Sequence, residues 1–340
     1  MGRRAMRKAL VTGSAGFIGY HLARRLLDEG WQVTGLDAMT DYYDVTLKQR
    51  RHDMLIQSDH FTAIEARVEE SGRMNDLVAQ DRFDAIIHLA AQAGVRYSID
   101  APRSYVDSNL VGTFEVLEAA RNTPPAHLLI ASTSSVYGAN TKMPYSEMHK
   151  TDHQMSFYAA TKKAGEAMAH SYAHLYDVPT TMFRFFTVYG PWGRPDMALF
   201  KFTKAILDGT PIDIYNHGDM RRDFTYIDDL VTGIVRLIDV PPRRAAAPDL
   251  PHDSLSPVAP WRVVNIGNGV PVPLMDFVAA IEEATGRPAQ KRFLDMQPGD
   301  VPATWADADL IEALTGPLPR TNVQVGVQRF VDWYRDHYGA

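Results

Sequence analysis

Short hydrophobic runs alternate along the first half of the chain with longer stretches of helical periodicity. Runs of four to six apolar residues that end at a glycine or polar residue are typical of buried strands. The pattern predicts five such strands, at residues 8–12, 32–37, 84–89, 128–132 and 180–184. Because helices lie between successive strands, we expect an α/β fold with a doubly wound parallel (Rossmann) sheet.

The alternation weakens after Tyr189-Gly190-Pro191, where proline, glycine and aromatic residues become frequent. We expect residues 1–189, together with about 225–268, to form the sheet domain. The remaining residues, 190–224 and 269–340, are predicted to form a smaller C-terminal lobe that binds the substrate. Residues 240–260 contain six prolines and several alanines, which predicts a mobile surface loop.

Three glycines with the spacing G-x-x-G-x-x-G connect the first strand to a helix predicted over residues 17–29. Gly13, Gly16 and Gly19 permit a tight turn and a close approach of the backbone to a pyrophosphate, whose charge meets the start of the helix. Asp37 ends the second strand, where a carboxylate accepts hydrogen bonds from an adenosine ribose and repels a 2′-phosphate. The turn therefore predicts a dinucleotide site that favours NAD over NADP.

Composition narrows the class of protein. The 340 residues are 45% hydrophobic and 22% charged, which is typical of a globular chain with a large core. A formal net charge of −6 argues against a nucleic-acid surface, and no apolar run is long enough to span a membrane. The chain has no cysteine, which excludes thiolate metal sites and makes a reducing cytoplasm the expected compartment.

Tyr158 and Lys162 stand four residues apart, so a helix places the phenol and the ammonium on one face. A cation about 5 Å from the phenol supplies about 3 of the roughly 4 kcal/mol needed to lower a tyrosine pKa from about 10 to about 7. The two side chains are therefore a candidate proton-transfer pair. Tyrosine and lysine also meet at this spacing on many solvated helices, so the hypothesis depends on their surroundings.

Several longer blocks surround this pair, and together they cover the chain nearly from end to end. They are residues 12–19 (TGSAGFIG), 88–96 (HLAAQAGVR), 132–138 (STSSVYG), 184–197 (RFFTVYGPWGRPDM) and 222–229 (RDFTYIDD). With these blocks the chain resembles the extended short-chain dehydrogenase/reductases, and among them the UDP-glucuronate 4-epimerases. Two positions depart from that family, because Arg67 stands where an aspartate is usual and Ala38 where asparagine is commoner.

The resemblance implies an isomerase that converts UDP-glucuronate to UDP-galacturonate through a transient 4-keto sugar. It implies three catalytic residues, namely the base Tyr158, its partner Lys162, and Thr133. The residues it implies for NAD are Gly13, Gly16, Phe17, Ile18, Gly19, Asp37, Leu89, Ala90, Ala91, Tyr158 and Lys162. For the UDP-sugar they are Thr133, Ser134, Ser135, Thr187 and Arg222, to which we add Arg194 because a guanidinium suits a carboxylate or a diphosphate.

The resemblance also implies a homodimer, formed through a four-helix interface by the helices at residues 109–121 and 157–176. A patch at residues 41–44 (DYYD) occurs in relatives and has no assigned role beyond that of a lid.

Other functions remain alternatives at this point. Related 4,6-dehydratases place Asp-Glu at positions 134 and 135, and UDP-glucuronate decarboxylases usually place a glutamate at 135. This chain has two serines there, which cannot act as the general acid of an elimination. A UDP-glucose/UDP-galactose 4-epimerase of the same superfamily is a further alternative. A non-catalytic NAD-binding sensor would typically lack the tyrosine and lysine.

His170 and His174 have metal-ligand spacing, but no third ligand follows in helical register, so no metal is expected.

Overall fold

The structure is a computed structural model that describes residues 6–244, 250–297 and 300–339. In chain order its strands are β1 (Lys8–Thr12), β2 (Gln32–Asp37), β3 (Phe61–Glu65), β4 (Ala85–His88), β5 (His127–Ala131), β6 (Thr180–Phe185), β7 (Thr187–Tyr189), β8 (Ile212–Ile214), β9 (Arg221–Tyr226), β10 (Trp261–Ile266), β11 (Pro271–Pro273), β12 (Lys291–Phe293) and β13 (Ala303–Thr304).

Its α-helices are α1 (Phe17–Asp28), α2 (Val45–Leu55), α3 (Arg73–Gln80), α4 (Tyr97–Asp100), α5 (Pro102–Tyr105), α6 (Gly112–Asn122), α7 (Phe157–Tyr176), α8 (Ala198–Asp208), α9 (Ile227–Ile238), α10 (Leu274–Thr285), α11 (Asp309–Thr315) and α12 (Val323–Tyr338). A π-helical turn at Val106–Val111 leads directly into α6, and 3₁₀ turns occur at Ser134–Tyr137 and Tyr215–Gly218.

Seven parallel strands form the central sheet in the order β10-β6-β5-β4-β1-β2-β3. The direction of strand order reverses between β1 and β4, and in a doubly wound sheet ligands bind at the carboxyl ends of the strands on either side of such a point. The predicted fold class is therefore confirmed. β1 and β2 have the predicted bounds, and the strands predicted at 84–89, 128–132 and 180–184 are β4, β5 and β6, each within one residue at either end.

The sequence analysis missed two strands of this sheet. β3 is an edge strand whose residues are mostly exposed, so it lacks the continuous apolar run of its neighbours. β10 occupies the opposite edge and pairs with β6, although about 75 residues separate the two strands in the chain. Parallel pairing over such a distance leaves no local signal beyond a short apolar run.

β10 follows the proline-rich stretch predicted to be a mobile loop. Residues 250–260 are held against the sheet, since the buried carboxylate of Asp253 accepts two hydrogen bonds from Arg262, at 2.8 and 2.9 Å. His170 and His174 also reach this stretch, with ring nitrogens 2.8 Å from Ser256 Oγ and 2.7 Å from the Val258 carbonyl oxygen. Residues 245–249 of the predicted loop lie outside the described residues.

A smaller sheet forms around β9, which pairs with β7 and β13 in parallel and with β11 in antiparallel orientation. Asp223 is fully buried in β9, and its carboxylate accepts hydrogen bonds from the backbone of Asn268 (2.7 Å), Gly269 (2.9 Å) and Ala306 (3.1 Å). This one side chain therefore fixes two chain segments, at residues 268–269 and at Ala306, against β9. In the part of the chain that is described, no helix combines the length and apolar character needed to cross a bilayer.

Candidate active site

A cavity of about 490 Å³ lies at the carboxyl ends of the central strands. It is lined by all the residues predicted to bind the cofactor, which are Gly13, Gly16, Phe17, Ile18, Gly19, Asp37, Leu89, Ala90, Ala91, Tyr158 and Lys162. Thr133, Ser134, Ser135, Thr187 and Arg194 line the same cavity. The fold thus brings together residues that are scattered over more than 180 positions of the chain.

The glycine turn leaves no space for side chains. Gly13 has a φ of +75°, and a Cβ there would lie 2.9 Å from the backbone nitrogen of Ala90. A Cβ at Gly19 would lie 2.0 Å from the carbonyl oxygen of Gly13. Because no side chains cover this turn, an anion can approach the backbone amide groups at the start of α1. The turn therefore fits the pyrophosphate of a dinucleotide.

Asp37 ends β2 beside this turn. Its Oδ2 accepts a hydrogen bond from the backbone nitrogen of Ala15 at 3.0 Å, and its Oδ1 accepts one from that of Met39 at 2.9 Å. Carboxylate oxygens have further lone pairs, which suit the hydroxyl groups of a ribose.

The three cations that follow Asp37 in the sequence have other partners. Lys48 donates to Thr40, at 2.6 Å to its carbonyl oxygen and 2.9 Å to its hydroxyl, and Arg50 lies 3.2 Å from the ring of His337. Arg51 is buried among backbone carbonyl groups. Lys48 lines the cavity with Asp37, but its donors are engaged by Thr40, and those of Arg51 are engaged by backbone carbonyl groups.

The loop after β4 is fixed by a buried threonine–histidine pair. The Thr12 hydroxyl accepts hydrogen bonds from the backbone nitrogens of Leu89 and Ala90, both at 3.2 Å, and therefore donates its own hydrogen to His88 Nδ1 at 2.8 Å. The other ring nitrogen of His88 lies 3.3 Å from the Thr113 hydroxyl. Burial, reinforced by the charge of Lys162, lowers the pKa of His88 to about 3, so the ring stays neutral and holds the loop in place at any physiological pH.

Tyr158 and Lys162 both lie in α7, which begins after Ser156 caps the backbone nitrogen of Ala159 at 3.1 Å. Burial raises the pKa of Tyr158, while a hydrogen bond with Thr133 and the charge of Arg194 oppose that rise. Burial also lowers the pKa of Lys162 to about 8. The groups that oppose the rise in the pKa of Tyr158 are thus Thr133 and Arg194, whereas the sequence predicts most of the tuning from Lys162.

Asn109 lies in the π-helical turn and fixes the backbone around Tyr158 and Lys162. Its Oδ1 accepts from the Gln92 backbone nitrogen at 2.8 Å, and its Nδ2 donates to the Gln92 carbonyl oxygen at 3.1 Å and to the Thr161 hydroxyl at 3.0 Å. Thr161 in turn donates to the carbonyl oxygen of Tyr158 at 2.9 Å. π-helical turns are frequent at functional sites. This one places the buried side chain of Asn109 between the loop after β4 and α7.

A second cavity, of about 160 Å³, adjoins the first. Ser134, Ser135 and Thr187 line both, so these hydroxyl groups stand where the two cavities meet. Arg222 lines only the second cavity, where it donates to the Asp300 carboxylate at 2.7 Å. The structure therefore places Arg222 apart from the cofactor turn and within reach of the hydroxyl cluster.

Arg194 is held by an acidic neighbour. It forms a two-pronged ion pair with Asp196, at 3.0 and 2.5 Å, and the Tyr42 hydroxyl donates to the same carboxylate at 3.3 Å. Burial opposes the charge of Arg194, but Asp196 outweighs it and the pKa of the guanidinium is raised. Residues 40–44, here named the strap, thus reach across the cleft to the segment that carries Arg194. The sequence predicts no contacts for residues 41–44.

Arg67 and Ala38 line the outer rim of the large cavity, beyond Asp37. Arg67 is exposed and pairs with Glu69 at 3.1 Å. In the described parts of the chain, no group of three or more metal-ligating side chains comes together.

Residues 9–247 match the family model described as the NAD dependent epimerase/dehydratase family. The chain belongs to this family. The matched residues include the glycine turn, the Tyr158–Lys162 pair and Arg222, so the geometry described above lies within the part that defines the epimerase/dehydratase family.

Relatives within this epimerase/dehydratase family extend over nearly the whole chain. A probable UDP-glucuronate 4-epimerase from Rhizobium meliloti (strain 1021) is 59% identical over 97% of this chain and 97% of its own. UDP-glucuronate 4-epimerase 4 of Arabidopsis thaliana is 45% identical over 97% of this chain and 76% of its own. A crystal structure of UDP-glucuronic acid 4-epimerase from Bacillus cereus, in complex with UDP-glucuronic acid and NAD, has a TM-score of 0.87 and 32% identity, covering 97% of this chain and 100% of that one.

Proposed function

We propose that this protein is an NAD-dependent UDP-glucuronate 4-epimerase that forms UDP-galacturonate. The observation that carries the proposal is the placement of Tyr158, Lys162 and Thr133 in the same cavity as the glycine turn and Asp37. The high identity to proteins named for this activity, over nearly the full length of the chain, supports the choice of substrate.

The residues fit NAD because the glycine turn has no room for side chains and Asp37 offers free lone pairs beside it. NAD, when bound, accepts a hydride from carbon 4 of the sugar and returns it. Tyr158 removes the proton of the 4-hydroxyl group and later gives it back, and the Thr133 hydroxyl, which lines the same cavity, orients the reacting oxygen. Between the two steps the 4-keto sugar must turn over, so that the hydride returns to its opposite face.

We propose that Arg222 contacts the diphosphate and anchors the substrate while the sugar ring turns. It lies in the smaller cavity, and its charge is shared with Asp300, so an anion can compete for it. Burial lowers the pKa of Arg222, although Asp300 opposes this effect, and a second anion would further stabilise the charged form.

We propose that Ser134, Ser135 and Thr187 hold the sugar carboxylate, with Arg194 nearby. The three hydroxyl groups meet at the junction of the cavities, which is where the sugar must lie between Tyr158 and Arg222. A 4-keto uronate loses carbon dioxide when its carboxylate bond aligns with the π system of the ketone. Holding the carboxylate close to the mean plane of the ring keeps the bond poorly aligned, which favours epimerisation over decarboxylation.

The decisive experiment is incubation of the purified protein with UDP-glucuronate, UDP-glucose and UDP-galacturonate in separate reactions, with products identified by nuclear magnetic resonance. We expect interconversion of the two uronates. UDP-4-keto-pentose as the main product would identify a decarboxylase, and turnover confined to UDP-glucose would identify the neutral-sugar epimerase. Binding of NAD without any turnover would support the sensor alternative.

We also propose a homodimer through α6 and α7. Phe114 on α6 is 42% exposed, and Phe157 and Leu175 on α7 are 41% and 63% exposed, which is costly for large apolar side chains in water unless a partner covers them. Light scattering after size exclusion tests this, and Phe114→Glu together with Leu175→Glu should give a monomer.

Domain boundaries and compartment are proposals as well. We propose that residues 1–189 with 225–268 form the NAD-binding domain and that the rest forms the UDP-sugar lobe, in agreement with β10 joining the central sheet. We propose a cytoplasmic location because the sequence contains no cysteine.

A further inference from the structure

Arg51 lies in α2 beside the cleft and is a fully buried charged side chain, with 0% exposure. Its guanidinium donates to the carbonyl oxygen of Ala15 at 3.0 Å, to the Tyr43 hydroxyl at 2.9 Å, and to the carbonyl oxygens of Trp192 at 2.6 Å and Gly193 at 3.4 Å. Its Nε is buried without a hydrogen-bond partner. Within the described residues no carboxylate forms an ion pair with it, although buried charges are normally paired.

The acceptors of Arg51 belong to three separate parts of the site. Ala15 lies in the glycine turn between Gly13 and Gly16, and its backbone nitrogen is bonded to Asp37, so both polar groups of this residue are fixed. Tyr43 belongs to the strap. Trp192 and Gly193 directly precede Arg194, in the segment whose Arg194 side chain lines the large cavity.

The Trp192 backbone is strained. Its φ is +61°, a region that a bulky L-residue rarely adopts. The short hydrogen bond from Arg51 to its carbonyl oxygen holds it in this conformation, while its ring packs against Trp333 and His337 with centroid distances of 5.2 and 4.8 Å. Strain of this kind persists only where the surroundings impose it, and Arg51 is the polar group that does so here.

We propose that Arg51 is a positioning residue that couples the cofactor turn to the segment carrying Arg194. A pyrophosphate on the glycine turn brings negative charge close to Arg51, which forms no ion pair with a carboxylate of the described residues. The guanidinium and its four acceptors are then more firmly held, and residues 190–197 are set for the substrate. Cofactor and UDP-sugar therefore bind with positive cooperativity, each tightening the other by the same factor. The inference rests on the proposed function for the identity of the second ligand.

The first test measures coupling with UDP as the probe. Calorimetry gives the dissociation constant of UDP with saturating NAD and after NAD has been removed, for wild type, Arg51→Met and Arg51→Lys. We expect NAD to tighten UDP binding at least about 5-fold in wild type and less than about 2-fold in both variants, since lysine cannot reach acceptors on both sides. Arg50→Met is the matched control, because Arg50 is its neighbour on α2 but is exposed, and it should retain the wild-type ratio.

The second test uses hydrogen exchange and needs only NAD and the wild-type protein, so it stands even if Arg51→Met does not fold. NAD alone should slow amide exchange at residues 190–197 as well as at residues 13–19. In a folded Arg51 variant only residues 13–19 should be protected. The coupling is refuted if NAD protects only residues 13–19 in wild type. It is also refuted if the dissociation constant of UDP for wild type is the same with and without NAD. If wild type does not bind UDP at all, the proposed function falls, and this inference with it.

Discussion

The Lys162 ammonium donates a hydrogen bond of 2.9 Å to the carbonyl oxygen of Ala131, at the carboxyl end of β5. Thr133 follows two residues later, so the end of one strand fixes the cation and presents a hydroxyl to the cavity that Tyr158 also lines. The catalytic helix is thus aligned to this strand through Lys162. Because burial lowers the pKa of Lys162 to about 8, the ammonium is charged at neutral pH and becomes neutral in mildly alkaline solution.

Tyr158→Phe should abolish epimerisation and leave the binding of UDP and NAD nearly intact, because it removes only the oxygen that transfers the proton. We expect turnover to fall at least about 100-fold. Product assays beside calorimetry measure this. Tyr176→Phe, at the partly exposed end of the same helix, is the control and should retain activity. Retained turnover above about a hundredth of wild type in Tyr158→Phe would refute the assignment of the base.

The phenol of Tyr158 should ionise at a higher pH than an exposed tyrosine in protein freed of nucleotide. Burial disfavours the phenolate and so raises the pKa, and this outweighs the lowering by Thr133 and Arg194. The difference in phenolate absorbance between wild type and Tyr158→Phe, followed against pH, reports this ionisation. Thr133→Val should raise the pKa further. A Tyr158 signal near pH 7 would show instead that Lys162 alone suffices as the tuning charge.

Thr187→Ala and Arg194→Ala should each raise decarboxylation relative to epimerisation, because both loosen the hold on the sugar carboxylate. Nuclear magnetic resonance of UDP-glucuronate reactions gives the ratio of UDP-galacturonate to UDP-4-keto-pentose, and absorbance follows released NADH. Arg244→Ala is the control for Arg194→Ala, since Arg244 also pairs with an aspartate, Asp177, but away from the cleft. An unchanged product ratio in both variants would place the clamp elsewhere.

The protein should bind NAD at least about 10-fold more tightly than NADP, because the Asp37 carboxylate repels a 2′-phosphate and Lys48 is engaged with Thr40. Competition between the two nucleotides measures the preference. Asp37→Ala should reduce the preference for NAD over NADP. Asp59 is an exposed acid in the same domain, so Asp59→Ala should leave that preference unchanged. Equal affinity in wild type would mean that Lys48 leaves Thr40 to bind the additional phosphate.

Glu166→Gln should destabilise the protein by about 3–5 kcal/mol, since it leaves Arg184 buried without its carboxylate. Arg184 donates to both oxygens of Glu166 at 2.8 Å, and Ser132 donates to the same carboxylate at 2.7 Å. Denaturant unfolding measures the loss. The double variant Glu166→Gln with Arg184→Met should recover part of it, and a single variant as stable as wild type would show that the pair contributes little.

Much of the Rossmann half follows from local sequence. The bounds of β1, β2 and α7 agree with prediction because a continuous apolar run or a serine cap marks each of them. The grouping of the candidate cofactor residues in one cavity was also predictable, since the glycine turn and Asp37 lie at the ends of β1 and β2. β3 and β10 were not, because one is an exposed edge and the other pairs with a strand far away in the chain.

The contacts of the polar side chains could not be predicted in the same way. Arg51 and the strap were visible in the sequence, yet the partners of Arg51 are 36 and 141 residues away, at Ala15 and Trp192. Tyr42 likewise meets Asp196 across 154 residues. Hydrophobic periodicity and motif spacing are properties of neighbouring residues, so the sequence by itself determined five strands of the central sheet, the glycine turn and the candidate proton-transfer pair. Which donor meets which acceptor depends on segments that are far apart in the chain. These segments come together and become buried only when the chain folds, so only the tertiary structure decided the polar contacts.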